Sequence, residues 1–334
     1  MQLKNEFGWS LSREAMFDQC KRKYYYHYYL SWGGWREDAG ELAKEAFKLK
    51  RLVSLALWRG QLVHYIISKI LESIKRRGVL PDRKRVIEYT KQHFYKQFTF
   101  SEEKRYLIEP KRKQNKLNIY WLALIDHEYN RSLLSEKLEQ TLKEVTSAII
   151  GFYSSPIIDI LKDTDTAEWV IENVDVGEFA QHFIFEGVKI FVKTDFCFRG
   201  TGDTFCIVDW KTISPDSEGK GEIAEQDNKI EIQLGIYSYY AWSVLSESPS
   251  MIRLYLVNLL DNGKISEYRV DESSLPIFES YIRNGIKKLA SVLEDSDTEK
   301  NIPLPIDYFP QIDSPVCSRC NFFRICKGSL SNTK

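Results

Sequence analysis

The apolar and polar positions change their rhythm near residue 165. In residues 1–30, apolar and aromatic side chains recur at helical spacing through Leu30, with Ser10 or Ser12 as cap and Glu14 after it. Residues 41–78 lack proline, hold Gly60 as their one internal glycine, and are rich in Leu, Ala, Lys and Ile. They predict a long helix. Residues 84–99 and 117–163 continue the helical pattern on either side of a basic, proline-containing stretch, Glu109–Lys116. After Thr166 the pattern becomes short and β-like. Glu168–Val174, His182–Glu186, Lys189–Phe198 and Thr204–Trp210 are rich in Val, Ile and Phe and bounded by turn residues such as Gly200-Thr201-Gly202-Asp203. A polar loop is expected over Ser214–Asn228 and a helix over Ile230–Leu245. A hairpin joins Met251–Leu259 to Lys264–Val270 across Asp261-Asn262-Gly263, and another helix spans Pro276–Leu293. From Asn301 the tail is rich first in proline and then in cysteine.

Composition narrows the class. The 334 residues carry 47 basic and 47 acidic side chains, with 43% hydrophobic and 28% charged. That balance excludes a disordered or collagenous chain. Apolar runs such as Ile66–Leu71 and Met251–Leu260 are too short or too interrupted for the roughly 20 residues that cross a bilayer. The N-terminus has no signal-peptide pattern, so a soluble, cytoplasmic protein is expected. The zero net charge hides a split. Residues 1–150 hold 29 Lys and Arg against 18 Asp and Glu, which leaves 18 against 29 in residues 151–334. Such a split fits a lobe that attracts a polyanion beside one that carries acidic chemistry, and fits chance clustering equally well.

Of six cysteines, Cys197 and Cys206 fall inside predicted strands and read as small buried hydrophobes. Cys317-x2-Cys320-x5-Cys326 is a compact triple at the C-terminus, suited to soft-metal ligation by thiolates. Three thiolates leave a tetrahedral zinc or an iron–sulfur cluster one ligand short, and Cys20 is the remaining cysteine outside the strands. Ligand type alone does not separate zinc from iron–sulfur.

The acids form a second constellation. Asp195 lies in one predicted strand, and Asp209-Trp210-Lys211 ends the next. Alternation puts Asp209 and Lys211 on one face, and pairing of the two strands brings Asp195 close to Asp209. Two adjacent carboxylates repel, and a hard divalent cation relieves that repulsion. A lysine beside it equips the group for phosphodiester hydrolysis. On spacing alone, two strand-end acids and a solvated lysine are the commoner arrangement. His64, four residues after Gly60, is a third metal ligand if its helix packs on the strands, and otherwise a structural histidine. Gln233 and Tyr237 share a helix face one turn apart, where core packing of the tyrosine is the simpler account. His27, His93, His127 and His182 have no partner pattern and read as structural.

Together these residues resemble the PD-(D/E)XK nuclease superfamily, and within it the RecB/AddB-type branch with an iron–sulfur cluster, which includes the CRISPR adaptation exonucleases. Cys20-Lys-Arg-Lys-Tyr-Tyr-Tyr, Gly60…His64, Asp195, Asp209-Trp-Lys211, Gln233…Tyr237 and Cys317…Cys320…Cys326 occur in that branch's order across nearly the whole chain. The resemblance implies an α/β (α+β) fold: a restriction-endonuclease-like core with a small mixed sheet, a large helical insertion, and an iron–sulfur clamp joining the N- and C-terminal segments. It implies that His64, Asp195, Asp209 and the carbonyl of Trp210 hold Mg2+ or Mn2+, and that Lys211 assists the attacking water. Gln233 and Tyr237 would position the lysine and the DNA. Cys20, Cys317, Cys320 and Cys326 would hold a 4Fe–4S cluster, with structural zinc as the alternative. Thr194 precedes Asp195 where the family's pattern has proline.

The expected organisation is an N-terminal helix with the first cluster cysteine over 1–35 and a basic helical lobe over 36–165. A nuclease core follows over 166–300, and the cluster segment over 301–334. Candidate phosphate contacts are Lys21, Arg22, Lys23, Lys75, Arg76, Arg77, Arg83, Lys84, Arg85, Lys111, Arg112, Lys113 and Lys116. Tyr24–Tyr26, Tyr28, Tyr29, Trp32 and Trp35 are candidate stacking surfaces. The activity expected is exonucleolytic cleavage of single-stranded DNA ends in DNA repair, recombination or antiviral defence. The rivals are a DNA-holding subunit of a larger helicase-nuclease or defence complex, and a structure-selective endonuclease. No Gly-x4-Gly-Lys-Ser/Thr loop is present, so any unwinding would come from another protein.

Overall fold

The N-terminal segment, read as one helix, is broken. In the computed structural model, which describes residues 4–109, 120–131, 133, 135–171, 181–213 and 220–328, Gly8–Trp9 forms a short strand, β1. Helices α1 (Leu11–Gln19) and α2 (Lys21–Tyr25) follow, then a turn of π-helix over Tyr26–Leu30. Ser10, extended, caps α1 by accepting the Arg13 amide. Cys20 is also extended. It ends α1 and caps α2, its Sγ accepting the Lys23 amide. The long helix predicted over 41–78 likewise divides into α3 (Glu41–Leu49) and α4 (Leu55–Arg77). Between them Val53 pairs with the backbone around Leu124, and Ser54 caps α4. Helix α5 (Arg83–Glu102) is capped by Asp82. The predicted helical stretch 117–163 contains α6 (Ile125–Glu128), α7 (Ser135–Ser154) and α8 (Ile157–Lys162). Its residues 117–119 lie outside the described residues.

Two sheets form. The strand predicted over Lys189–Phe198 is two strands, β4 (Val188–Val192) and β5 (Phe196–Arg199), because each pairs with different neighbours. β4 lies between β1 and β3 (Gln181–Phe185) in a three-stranded sheet. β5 lies between β2 (Val170–Ile171) and β6 (Phe205–Lys211), and β7 (Ile252–Asn258) and β8 (Lys264–Tyr268) complete a five-stranded sheet. Asp195 therefore sits in the bend before β5, not within a strand. Helix α9 (Lys220–Leu245) begins inside the predicted polar loop, whose residues 214–219 lie outside the described residues. It carries the chain across the sheet so that β6 and β7 pair in parallel. Asn262 and Gly263, with φ of 51° and 71°, make the left-handed turn into antiparallel β8. Helices α10 (Leu275–Ala290) and α11 (Phe323–Lys327) follow.

The five-stranded sheet is covered on both faces. Cys206, Val208 and Trp210 point into a core with α4 and α7, which includes Ile66, Ile67, Ile149 and Phe152. Ile207 and Leu254 point into the other core, with α9, α10 and the N-terminal segment. Two glycines set the close approaches. A Cβ on Gly151 of α7 would lie 1.9 Å from the Leu259 carbonyl, and one on Gly235 of α9 would lie 2.0 Å from the Phe278 ring of α10. The chain ends meet through direct contacts. Arg22 Nε donates to the Phe309 carbonyl at 2.5 Å, and Tyr25 packs on Phe309. Arg324 of α11 pairs with Glu45 and Glu128. Among the described residues no helix is long and apolar enough to cross a membrane.

Candidate active site

Alternation along β6 decides which side chains can react. Cys206, Val208 and Trp210 are spent on the apolar core, so Asp209 and Lys211 project to the face that carries α9. The β5–β6 register pairs Phe196 with Val208 and so sets Asp195, one residue earlier, opposite Asp209. Asp195 Oδ2 accepts the Trp210 amide at 2.8 Å, and its Oδ1 lies 2.9 Å from His64 Nδ1, reaching in from α4. His64, Asp195, Asp209 and Lys211 thus come together. His64 keeps 38% of its side chain exposed and Asp209 only 4%, so the group opens to solvent on the His64 side.

A relay of hydrogen bonds fixes the lysine. Lys211 Nζ donates to Gln233 Oε1 at 2.9 Å, Gln233 Nε2 donates to the Tyr237 hydroxyl at 2.7 Å, and that hydroxyl donates to the Lys193 carbonyl at 2.5 Å. The directions are self-consistent, since an ammonium only donates and a carbonyl only accepts. One face of α9 therefore ties the end of β6 to the bend that carries Asp195. Sequence reasoning paired Gln233 with Tyr237 but had no signal for the Lys193 carbonyl, which any residue type supplies.

The charges are not balanced. Lys211 Nζ lies 2.7 Å from Asp209 Oδ2, an ion-pair distance, yet among the described residues that buried oxygen receives no well-directed hydrogen bond. Burial and then the charge of Asp195 push the Asp209 carboxyl up to about 6, against the pull of Lys211 and His64. Burial alone would raise Asp195 too, but the His64 charge and hydrogen bond and the Trp210 amide hold it below the usual carboxylate range. Burial would lower His64, and Asp195 outweighs it, so the imidazole is raised. An under-satisfied buried carboxylate beside a second one is a donor set that a hard divalent cation fits. The Trp210 carbonyl adds a hard oxygen. The Lys211 carbonyl accepts from Leu259 on the β7 side, so that of Trp210 faces the β5 side, where Asp195 interrupts the ladder.

All six cysteines are free thiols. Cys197 and Cys206 are buried. Cys20, Cys317, Cys320 and Cys326 are partly exposed where the chain ends meet. Burial raises the Cys320 and Cys326 thiols, and the nearby Cys20 raises both further. Among the described residues, no three His, Cys, Asp or Glu side chains converge as a closed ligand group, here or at the acids.

Several predicted nucleic-acid contacts are engaged elsewhere. Tyr24 and Tyr26 are core residues, and Tyr28 and Tyr29 are partly buried against Tyr24. Arg22 holds Phe309, Lys23 holds Gln19, and Lys75 donates to the Trp169 carbonyl. Lys111, Arg112, Lys113 and Lys116 lie outside the described residues. Trp32 and Trp35 do stay exposed. His93 and His127 are structural, bonded to Tyr120 and Ser101. One residue was missed: Arg59 of α4 pairs with Glu144 and donates to the Thr212 carbonyl at 3.2 Å, directly after Lys211. In sequence it is one more cation on a helix.

The chain matches the family model of the PD-(D/E)XK nuclease superfamily over residues 8–327. Members of that superfamily are nucleases that typically use Mg2+ or Mn2+. No curated protein matches the chain at a significant level. With the match covering nearly the whole length, the chain belongs to the PD-(D/E)XK nuclease superfamily.

Proposed function

We propose that the chain is a metal-dependent deoxyribonuclease of the RecB/AddB-type branch. It acts as an exonuclease on single-stranded DNA ends, in DNA repair, recombination or antiviral defence. The observation that carries the reading is the gathering of His64, Asp195, Asp209 and Lys211 at one open edge, with Lys211 held by Gln233 and Tyr237. Asp195, Asp209, His64 and the Trp210 carbonyl are the ligands for Mg2+ or Mn2+. When bound, such an ion polarises the phosphate and makes its water more acidic. Lys211 orients the attacking water and offsets charge on the phosphate oxygens. Gln233 and Tyr237 keep the ammonium in place.

The same reading gives Cys20, Cys317, Cys320 and Cys326 to a 4Fe–4S cluster that clamps the two ends of the chain. It is supported by their free thiols and by the direct contacts that already bring those ends together. It also keeps the fourfold division at 1–35, 36–165, 166–300 and 301–334, and a cytoplasmic setting in keeping with reduced cysteines.

The test is degradation of end-labelled linear and circular single-stranded DNA with Mn2+, Mg2+ or EDTA. Metal-dependent shortening of the linear strand with the circle intact is expected. Cutting of the circle would replace the exonuclease reading with an endonuclease, and binding without cleavage under either metal would replace it with a DNA-holding subunit.

A further inference from the structure

Strand β6 loses one neighbour at the end that carries the reacting groups. β5 accompanies it only until Phe196 lies opposite Val208, whereas β7 stays beside it until Asn258 lies opposite Lys211. Beyond Val208 the strand is therefore paired on one side among the described residues. The Lys211 carbonyl accepts the Leu259 amide at 2.8 Å on the β7 side. Backbone groups alternate along a strand, so those of Trp210 and Thr212 turn to the side that β5 has left. A strand end without partners on that side frays.

Two side chains take the place of the missing strand. Asp195 Oδ2 accepts the Trp210 amide at 2.8 Å, and Arg59 Nη2 donates to the Thr212 carbonyl at 3.2 Å. The Trp210 carbonyl lies between these two bonds. Asp195 is in turn bonded to His64, five residues after Arg59 on α4. One helix thus grips the edge at two points, the bend before β5 and the end of β6. Arg59 is itself braced. Its Nη1 pairs with Glu144 of α7, and Gln140 Nε2 donates to the other oxygen of that carboxylate at 2.9 Å. The two side chains of the pair are 22% and 25% exposed, so solvent screens them less than a surface pair. Arg59 Nε has no partner among the described residues, so the direction of the guanidinium rests on Glu144 and Thr212. The planar fork gives one nitrogen to each, which a lysine does not reproduce.

We propose that Arg59 is a positioning residue. It replaces the missing strand partner at the end of β6, braced from α7 by Glu144, and so holds the Trp210 carbonyl and Lys211 in place beside Asp195. The hold on the strand stands on these contacts alone; its consequence for the cation and for cleavage rests on the hydrolytic reading above.

The test compares the full chain with Arg59→Ala, Arg59→Lys and Glu144→Ala. Amide hydrogen exchange is read first, on metal-free protein. The Leu259 amide, whose acceptor is the Lys211 carbonyl, exchanges about tenfold faster in Arg59→Ala, while the amides of β4 keep their wild-type rates. Mn2+ titrated into the protein, with the free ion followed by electron paramagnetic resonance, binds about 10- to 100-fold more weakly. Cleavage of labelled single-stranded DNA loses kcat by a similar factor, with KM within about twofold of wild type. Glu144→Ala touches neither strand, yet it gives the same changes in smaller measure, and adding it to Arg59→Ala costs little more. Arg59→Lys recovers part of each loss. If Arg59→Ala melts early, Glu144→Ala and Arg59→Lys carry the comparison. Wild-type Leu259 exchange in the folded variants overturns the proposal whatever their activity. So does a defect confined to KM that flattens the salt dependence, because it would make Arg59 a phosphate contact. The two readings fail separately. Wild type that cuts nothing, with fast Leu259 exchange in Arg59→Ala, refutes the hydrolytic reading alone. Wild type that cuts, with exchange and Mn2+ affinity unchanged in Arg59→Ala, refutes the role of Arg59 alone.

Discussion

Replacing Gln233 with alanine isolates what α9 does for the lysine. The substitution removes the 2.9 Å acceptor of Lys211 Nζ and the donor to Tyr237, while the 2.7 Å contact to Asp209 remains. Lys211 then rests on one carboxylate instead of between two acceptors, and its ammonium turns toward Asp209. A hydrogen bond to a charged group is worth about 1.5–3 kcal/mol net. At about 1.4 kcal/mol per factor of ten, the cleavage step slows by about 10- to 150-fold if the bond is made fully in the transition state. The bonds removed are those to Lys211 and Tyr237, so the loss is expected in kcat, with KM and Mn2+ affinity near wild type. Single-turnover cleavage of labelled single-stranded DNA reads the first, and titrations read the others. Tyr237→Phe keeps the buried ring and removes only the far support of the relay, so its loss is smaller. A folded Gln233→Ala protein with wild-type kcat, or one whose defect lies in KM, would refute the positioning argument.

Other consequences follow from the same charges. In the metal-free protein the Asp209 carboxyl is raised from 3.8 to about 6. Between those values the folded state holds more protons than the unfolded one, so metal-free stability falls as pH rises through that window. Asp209→Asn therefore raises the melting temperature of the metal-free protein at neutral pH, by a few degrees, while abolishing cleavage; thermal melts on either side of pH 6 check it. Glu128 is 5% exposed and bonds Arg324, Lys48 and Tyr106. Burial would raise its pKa, but these partners hold it below the ordinary 4.5. Its stabilisation is complete above about pH 4.5 and is lost as pH falls through the lowered value. Glu128→Ala costs about 3 kcal/mol by denaturant unfolding at neutral pH. If the proposed cluster is bound, protein purified without oxygen is expected to absorb broadly in the visible, and Cys20→Ser or Cys326→Ser to remove the band; a colourless, zinc-loaded wild type would rule the cluster out.

The candidate site was legible because its chemistry needs particular residue types at fixed strand and helix spacing. Alternation alone put Asp209 beside Lys211, and helical spacing put Gln233 one turn from Tyr237. What escaped was set by pairing partners far away in the chain. The bend that frees Asp195 exists because β4 and β5 join different sheets, which no local pattern in Lys189–Phe198 encodes. The break between α3 and α4 depends on Val53 meeting Leu124. The tyrosines after Cys20 looked like stacking surface, but they are consumed in packing the chain ends together. Only tertiary contacts separate them from Trp32 and Trp35, which stay exposed. Arg59 matters through a backbone carbonyl, a partner with no sequence signature.

Under the proposed function, hydrolysis takes place at the edge shared by Asp195, Asp209 and Lys211. Its most direct measurement compares wild type with Lys211→Ala on labelled single-stranded DNA in Mn2+, recording cleavage and DNA affinity on the same preparations. Wild type is expected to cleave, and Lys211→Ala to bind with similar affinity without cleaving. Cleavage by folded Lys211→Ala at the wild-type rate would contradict it and move the chemistry elsewhere.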